Sequence, residues 1–245
     1  RIQVWRLTHA SHTQPAASKI FPSDTAIMTS PKFELTYFPI GGRALEIRLA
    51  FNIGKIDFKD NRLTFPEFGK AKAAGEFKYG VVPVLSVDGV QMGESLAILR
   101  YVGQLAKLYP EDPMEAFRVD EIVNVMENPS SAITFTLVPQ RFGLEKFDEK
   151  EKMRIRGFIN EKVLPPFIAG LEKTLAKNET KGFCVGSSLS IADLKVFGSI
   201  RNIKAGFLDG ISDTLYDKAP CCLAVYKTVS EHPSVVAYFK ANPKG

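Results

Sequence analysis

The chain of 245 residues is poor in cysteine and in histidine, with three of each. Cys184, Cys221 and Cys222 are an odd number with an adjacent pair, so they make a poor disulfide framework and point to a reducing, cytoplasmic compartment. Cys221-Cys222 as a reactive pair is a minor alternative, because adjacent cysteines rarely bridge without strain. His9, His12 and His232 are scattered, and no metal-ligand spacing appears, so no metal is expected. No apolar run approaches the ~20 residues that span a bilayer, which argues against a membrane partner. Blocks of one charge are also missing. The net charge is +5, and signs interleave as in Phe147-Asp148-Glu149-Lys150-Glu151-Lys152, the pattern of a solvated helix face rather than a nucleic-acid patch. What is present is 45% apolar content, ample for a core of one or two domains.

The N-terminal segment differs from the rest. It holds Arg1, Arg6 and Lys19 against Asp24 alone, is rich in Ser, Thr, Ala and Gln, and lacks the apolar stretch of a secretory signal. Such a composition fits an organelle transit peptide or an extension upstream of a true start at Met28, and the second is preferred. The segment is expected to be disordered and functionally silent.

Phe33, Leu35 and Tyr37 alternate with Lys32, Glu34 and Thr36, the period of a half-buried strand. Arg43 to Ile53 reads as a helix with Ala44, Ile47, Ala50 and Phe51 on one face and Gly54 as its stop. Ile56 and Phe58 alternate with charges in a second strand, which a β-α-β connection makes parallel. A polar stretch follows from Arg62 to Tyr79. Val84 to Val87 and Val90 to Met92 then flank Asp88-Gly89, a two-residue hairpin signal. A helix from Ser95 to about Lys107 closes a thioredoxin-like β-α-β, β-β-α domain. Beyond Tyr109-Pro110-Glu111-Asp112, Pro113 suits the first position of a helix, and everything after it reads helical. Pro165-Pro166 must bend or break a long pattern, and Ser190-Ile191-Ala192-Asp193 is a capping box flanked by Leu189 and Leu194. The expected organisation is a leader or extension over 1–30, a thioredoxin-like domain over 31–108, a linker over 109–112 and an all-helical domain over 113–245.

Leu35-Thr36-Tyr37-Phe38, Gly42-Arg43-Ala44, Val82-Pro83 and Glu94-Ser95-Leu96-Ala97-Ile98 occur in that order, followed by the capping box. The set resembles the cytosolic glutathione transferases over about Lys32 to Asn242, most closely the tyrosine-type sigma class. Glu94 departs from the Gln usual in that class, and Val81 stands where Lys or Gln is common.

The resemblance implies an enzyme whose co-substrate is glutathione and whose acceptors are small apolar electrophiles. A free thiol of pKa ~8.5 is only a few per cent ionised at neutral pH, and a shift of about two units is worth ~2.7 kcal/mol. A phenol stays protonated and can donate the hydrogen bond that produces such a shift; Tyr37 is the candidate. Arg43 would add positive potential beside the thiolate. A cis Val82-Pro83 bond would turn the Val82 backbone toward the cysteinyl residue. Ser95, at a helix start, would receive the γ-glutamyl carboxylate as well as cap the helix, and Glu94 would pair with the ammonium. Phe65 and Lys70, or Lys72, are candidates for the glycyl end, although a solvated lysine reads the same. Asp120 matches a position that reaches across a homodimer, and a surface aspartate would look identical. The second-substrate wall would take Phe38, Ile40 and Gly42, with Met126 or Ser130 from the helical part. Glutathione-dependent isomerisation of the prostaglandin D synthase type, peroxide reduction, and a non-enzymatic binding protein are the alternatives.

Overall fold

The computed structural model describes residues 30–243, so the expected leader lies outside the described residues apart from Ser30. The strand read from alternation is β1, Phe33–Tyr37, with Phe33, Leu35 and Tyr37 buried and Glu34 and Thr36 half-buried. It lies inside a four-stranded sheet of order β2-β1-β3-β4, made with β2 (Lys59–Arg62), β3 (Val84–Val87) and β4 (Val90–Met92). β1 pairs parallel with β2 and antiparallel with β3, the mixed arrangement of a thioredoxin-like domain. The β3–β4 hairpin turns at Asp88 (φ 50°) and Gly89 (φ 86°), both left-handed as a type I′ turn requires.

The second strand falls later than its apolar residues suggested. Lys59, Asp60, Asn61 and Arg62 form the ladder against Glu34–Tyr37. Phe58 instead packs its ring on Phe51, with centroids 4.4 Å apart, as the chain approaches the sheet. A polar edge strand is stable here because Asp60 is held by ions: Arg48 Nε at 3.1 Å and Arg62 at 2.8 Å.

The first helix also begins differently. Gly42–Ala44 make a 3-10 turn, and α1 proper spans Leu45–Ile53. Every residue from Leu45 to Phe51 is buried, including Glu46 and Arg48, because α1 packs against helices on several sides and sets Phe51 against Phe33 of β1. Gly54 is the C-cap, but at φ −70° it is not the left-handed residue. Lys55 takes that role at φ 53°. Glycine at 54 serves packing, since a Cβ there would stand 2.7 Å from that of Ala106.

The polar stretch after β2 contains α2, Phe65–Ala73, opened by a reciprocal capping box between Thr64 and Glu67. α3 spans Ser95–Leu105. The helical part follows as α4 (Pro113–Val125, capped by Asp112), α5 (Glu127–Leu137), α6 (Glu149–Phe158), α7 (Leu164–Leu175), α8 (Ile191–Lys204), α9 (Pro220–Ser230) and α10 (Pro233–Ala241). The break expected at Pro165-Pro166 is a π-helical segment, Ile159–Val163, so that the prolines fall in the first turn of α7, where no intrahelical donor is lost. Ser190 and Asp193 form the capping box of α8, and the buried Asp193 carboxylate also accepts from the Cys184 N–H at 2.7 Å. Cys221 and Cys222 are unbridged; their N–H groups donate to Glu172 at the start of α9. Side chains of both parts join in a single buried cluster, with α8 packed on α1.

Candidate active site

Tyr37 ends β1 with its side chain turned inward, 7% exposed. Its hydroxyl oxygen accepts the Arg43 backbone N–H at 3.2 Å. Accepting at oxygen strengthens the O–H as a donor. Burial pushes the phenol above its ordinary value of 10, partly offset by that hydrogen bond and by Arg43, so the group stays protonated at neutral pH. Gly42 carries the chain past this oxygen at φ +46°, and a Cβ there would stand only 2.6 Å from Tyr37 Oη.

Arg43 itself lies in the 3-10 turn, and its guanidinium points across the site. Nη2 meets Glu127 Oε1 at 2.6 Å, and Nη1 reaches Ser95 Oγ at 3.5 Å. The expectation that Ser95 caps α3 is corrected: Ser95 is the first helical residue, Glu94 precedes it, and α3 has no side-chain cap. The Ser95 hydroxyl accepts from Arg43 instead, which leaves the free N–H groups of the first turn to favour an anion. Glu94 is exposed and held at φ 67°, ψ 105°, a conformation that side-chain-bearing residues rarely adopt. The Val82–Pro83 peptide is cis, as anticipated.

The apolar side is a row of rings. Phe38 lies 5.1 Å from the Tyr37 ring, 4.6 Å from Phe65 and 5.2 Å from Phe68. Phe65 is 69% exposed and Ile40 is 47% exposed, a large apolar surface beside a phenol. Lys70 is exposed on α2; Lys72 Nζ lies over the Phe68 ring at 6.0 Å.

Other candidates stand apart from this cluster. Asp120 is tied within its own chain to Arg100 Nε at 2.6 Å and the Tyr109 hydroxyl at 3.0 Å. Met126 is buried at the junction of α4 and α5, and Ser130 Oγ donates to the Met126 carbonyl at 3.0 Å. The residue between them that touches the site is Glu127. Two further residues escaped the sequence reading. Arg48 has no exposed side chain and donates to the Ile40 carbonyl at 2.6 Å and the Phe38 carbonyl at 3.0 Å, fastening the loop that carries both residues. Its signal was a cation inside the apolar run from Ala44 to Phe51, a place where burial without partners is prohibitive. Lys195 lies 3.4 Å from Glu127 Oε2. Among the described residues no cluster of His, Cys, Asp or Glu fits a metal ion, and no helix is long and apolar enough to cross a membrane.

This geometry has relatives. Residues 33–104 match the family model for the glutathione S-transferase N-terminal domain, and 140–242 that for the C-terminal domain. The chain is 30% identical to glutathione S-transferase 1 of Ascaris suum, over 87% of this chain and 98% of that protein. It is 29% identical to the hematopoietic prostaglandin D synthase of Gallus gallus, over 87% of this chain and 98% of that one. Among solved structures, a monomeric glutathione S-transferase from Necator americanus superposes with a TM-score of 0.72 at 27% identity, covering 87% of this chain and 98% of that one. The chain therefore belongs to the glutathione S-transferase family, and it is a glutathione transferase.

Proposed function

We propose that the protein joins glutathione to small apolar electrophiles and that Tyr37 activates the thiol. The observation that carries this reading is the Tyr37 hydroxyl: buried, protonated, polarised by the Arg43 N–H, and approached past a glycine with no side chain in the way. The phenol donates to the sulfur and holds it as thiolate, the thiol proton passing to water; the sulfur then forms a C–S bond with the electrophile as its leaving group departs or its activated double bond opens. Arg43 supports the developing charge electrostatically. The first turn of α3 with Ser95 receives the γ-glutamyl carboxylate, and Glu94 receives the ammonium. Val82 pairs with the cysteinyl backbone ahead of cis-Pro83. Phe65 and Lys70 on α2 hold the glycyl end, and Asp120 contributes from a partner copy in a homodimer. Phe38, Ile40 and Gly42 line the electrophile's side, next to the exposed ring of Phe65.

The enzyme fits a tyrosine-type, sigma-like transferase acting in the cytoplasm. A second reading, glutathione-dependent isomerisation, keeps the same residues and changes only the acceptor; the relative named prostaglandin D synthase favours it. Replacing Tyr37 by Phe tests the shared chemistry. Turnover of an aryl halide with glutathione at neutral pH should fall by about twentyfold to thirtyfold, the loss of thiolate that a two-unit thiol shift produces near pH 7, while glutathione binding changes little. Full activity in Tyr37→Phe would remove Tyr37 from the mechanism. Assaying the wild type with an endoperoxide separates isomerase from conjugating activity.

A further inference from the structure

A chain of charges runs from the centre of the helical part to the guanidinium of Arg43. Lys195, on α8, is 7% exposed and lies among apolar residues. Its ammonium stands 3.4 Å from Glu127 Oε2, while Glu127 Oε1 meets Arg43 at 2.6 Å and accepts from Ser131 Oγ at 3.3 Å. Glu46, on α1, is buried within the fields of Lys195, Glu127 and Arg43. Gly198 makes room for it, since a Cβ there would overlap Glu46 Oε1. Along Lys195, Glu127 and Arg43 the signs alternate, while burial raises the carboxyl of Glu46 beside them.

Burying an ammonium costs several kcal/mol that its attraction to a carboxylate roughly offsets, and an apolar side chain of similar volume would pack there without that cost. The charge therefore has to be explained by something other than packing. Glu127 alone would neutralise Arg43. Divided between two cations, it leaves the Arg43–Glu127–Lys195 group with a net positive charge, one end of which touches Ser95 and, through the Arg43 backbone, Tyr37.

We propose that Lys195 is a positioning residue for the conjugation reaction: by sharing the Glu127 carboxylate, it sets the positive field that Arg43 carries at the thiol site. The inference rests on the reading of Tyr37 and Arg43 given above. The charged and titratable groups around Arg43 are Tyr37 from β1, Glu46 from α1, Glu127 from α5 and Lys195 from α8, with Arg48 5.8 Å from the Tyr37 ring centroid. Only Lys195 adds positive charge through Glu127.

The test uses the full chain, the pH profile of kcat/KM for glutathione with an aryl halide, and calorimetric glutathione binding. Lys195→Met should raise the apparent pKa of the bound thiol by about one unit, a roughly threefold loss of thiolate at neutral pH. The loss should appear in kcat more than in KM for glutathione. Lys195→Arg should keep the wild-type profile. Lys195→Met combined with Glu127→Gln restores the net charge and should bring the apparent pKa back toward wild type, which a purely structural role would not do. An unchanged profile in Lys195→Met, or a double variant displaced further than the single one, overturns the proposal. If Lys195→Met does not fold, Lys195→Gln decides by the same profile. A wild type that fails to bind glutathione overturns the reading of the whole site, and that result is seen before any variant is made.

Discussion

A Cβ on residue 42 would stand 2.6 Å from the Tyr37 hydroxyl oxygen and 3.0 Å from the ring carbon Cε1. Gly42 thus meets two demands at once: a left-handed backbone at φ +46° and an unfilled space over the phenol. The same turn brings the Arg43 N–H onto that oxygen, so the backbone at 42 and 43 sets both the polarity and the accessibility of Tyr37.

Gly42→Ala should therefore harm activity beyond its effect on folding. The strained backbone should cost about 1–2 kcal/mol in urea unfolding. The methyl group also displaces the hydroxyl or blocks the approach to it, and misplacement near 1 Å costs on the order of a hundredfold in rate. A fall in kcat/KM of at least about tenfold is expected at temperatures where the variant stays folded. Wild-type turnover in this variant would show that the space over the phenol is not used.

Arg48→Met should be among the most damaging single changes. It strips partners from the Phe38 and Ile40 carbonyls and leaves Asp60 without its buried cation. Breaking such an arrangement typically costs about 3–5 kcal/mol, readable as a lower urea midpoint at unchanged slope. Arg48→Lys should rescue little, because an ammonium cannot present the fork that reaches three acceptors.

Glu46 predicts a specific pH dependence. Burial raises its carboxyl from 4.5, with Lys195 opposing the shift. Between the unfolded value and this raised folded value, the native state binds the extra proton. The associated stability is full below about pH 4.5 and is lost as pH rises through the folded pKa. Glu46→Gln cannot titrate. The difference in unfolding free energy between wild type and Glu46→Gln should thus shift against the wild type as pH climbs through that window. A difference that stays flat across it would mean that Glu46 titrates as it does in the unfolded chain.

Much of the architecture was legible because its signals act over a few residues. Alternation at Phe33, Leu35 and Tyr37 marked β1, and Asp88-Gly89 marked the hairpin. Pro113 marked the start of α4, and Ser190 with Asp193 that of α8. β2 escaped because Lys59–Arg62 carries no apolar period at all. α2 escaped for another reason: it buries no side chain, so only its capping box at Thr64 and Glu67 announced it, and that signal lay in plain sight. At the site, Tyr37, Gly42, Arg43, Val82, Pro83 and Ser95 could be named from motifs, whereas their contacts could not.

By itself the sequence determined where the chain turns, which faces are apolar and which short motifs it carries, since period and turn chemistry are properties of neighbouring residues. Only the tertiary structure decided which charges are buried and against what. Arg48 meets Asp60, Arg43 meets Glu127 and Glu127 meets Lys195, partners drawn from separate elements. The reason is physical: whether an ion can leave water depends on the counter-charges packing brings to it, and no stretch of chain contains that information alone.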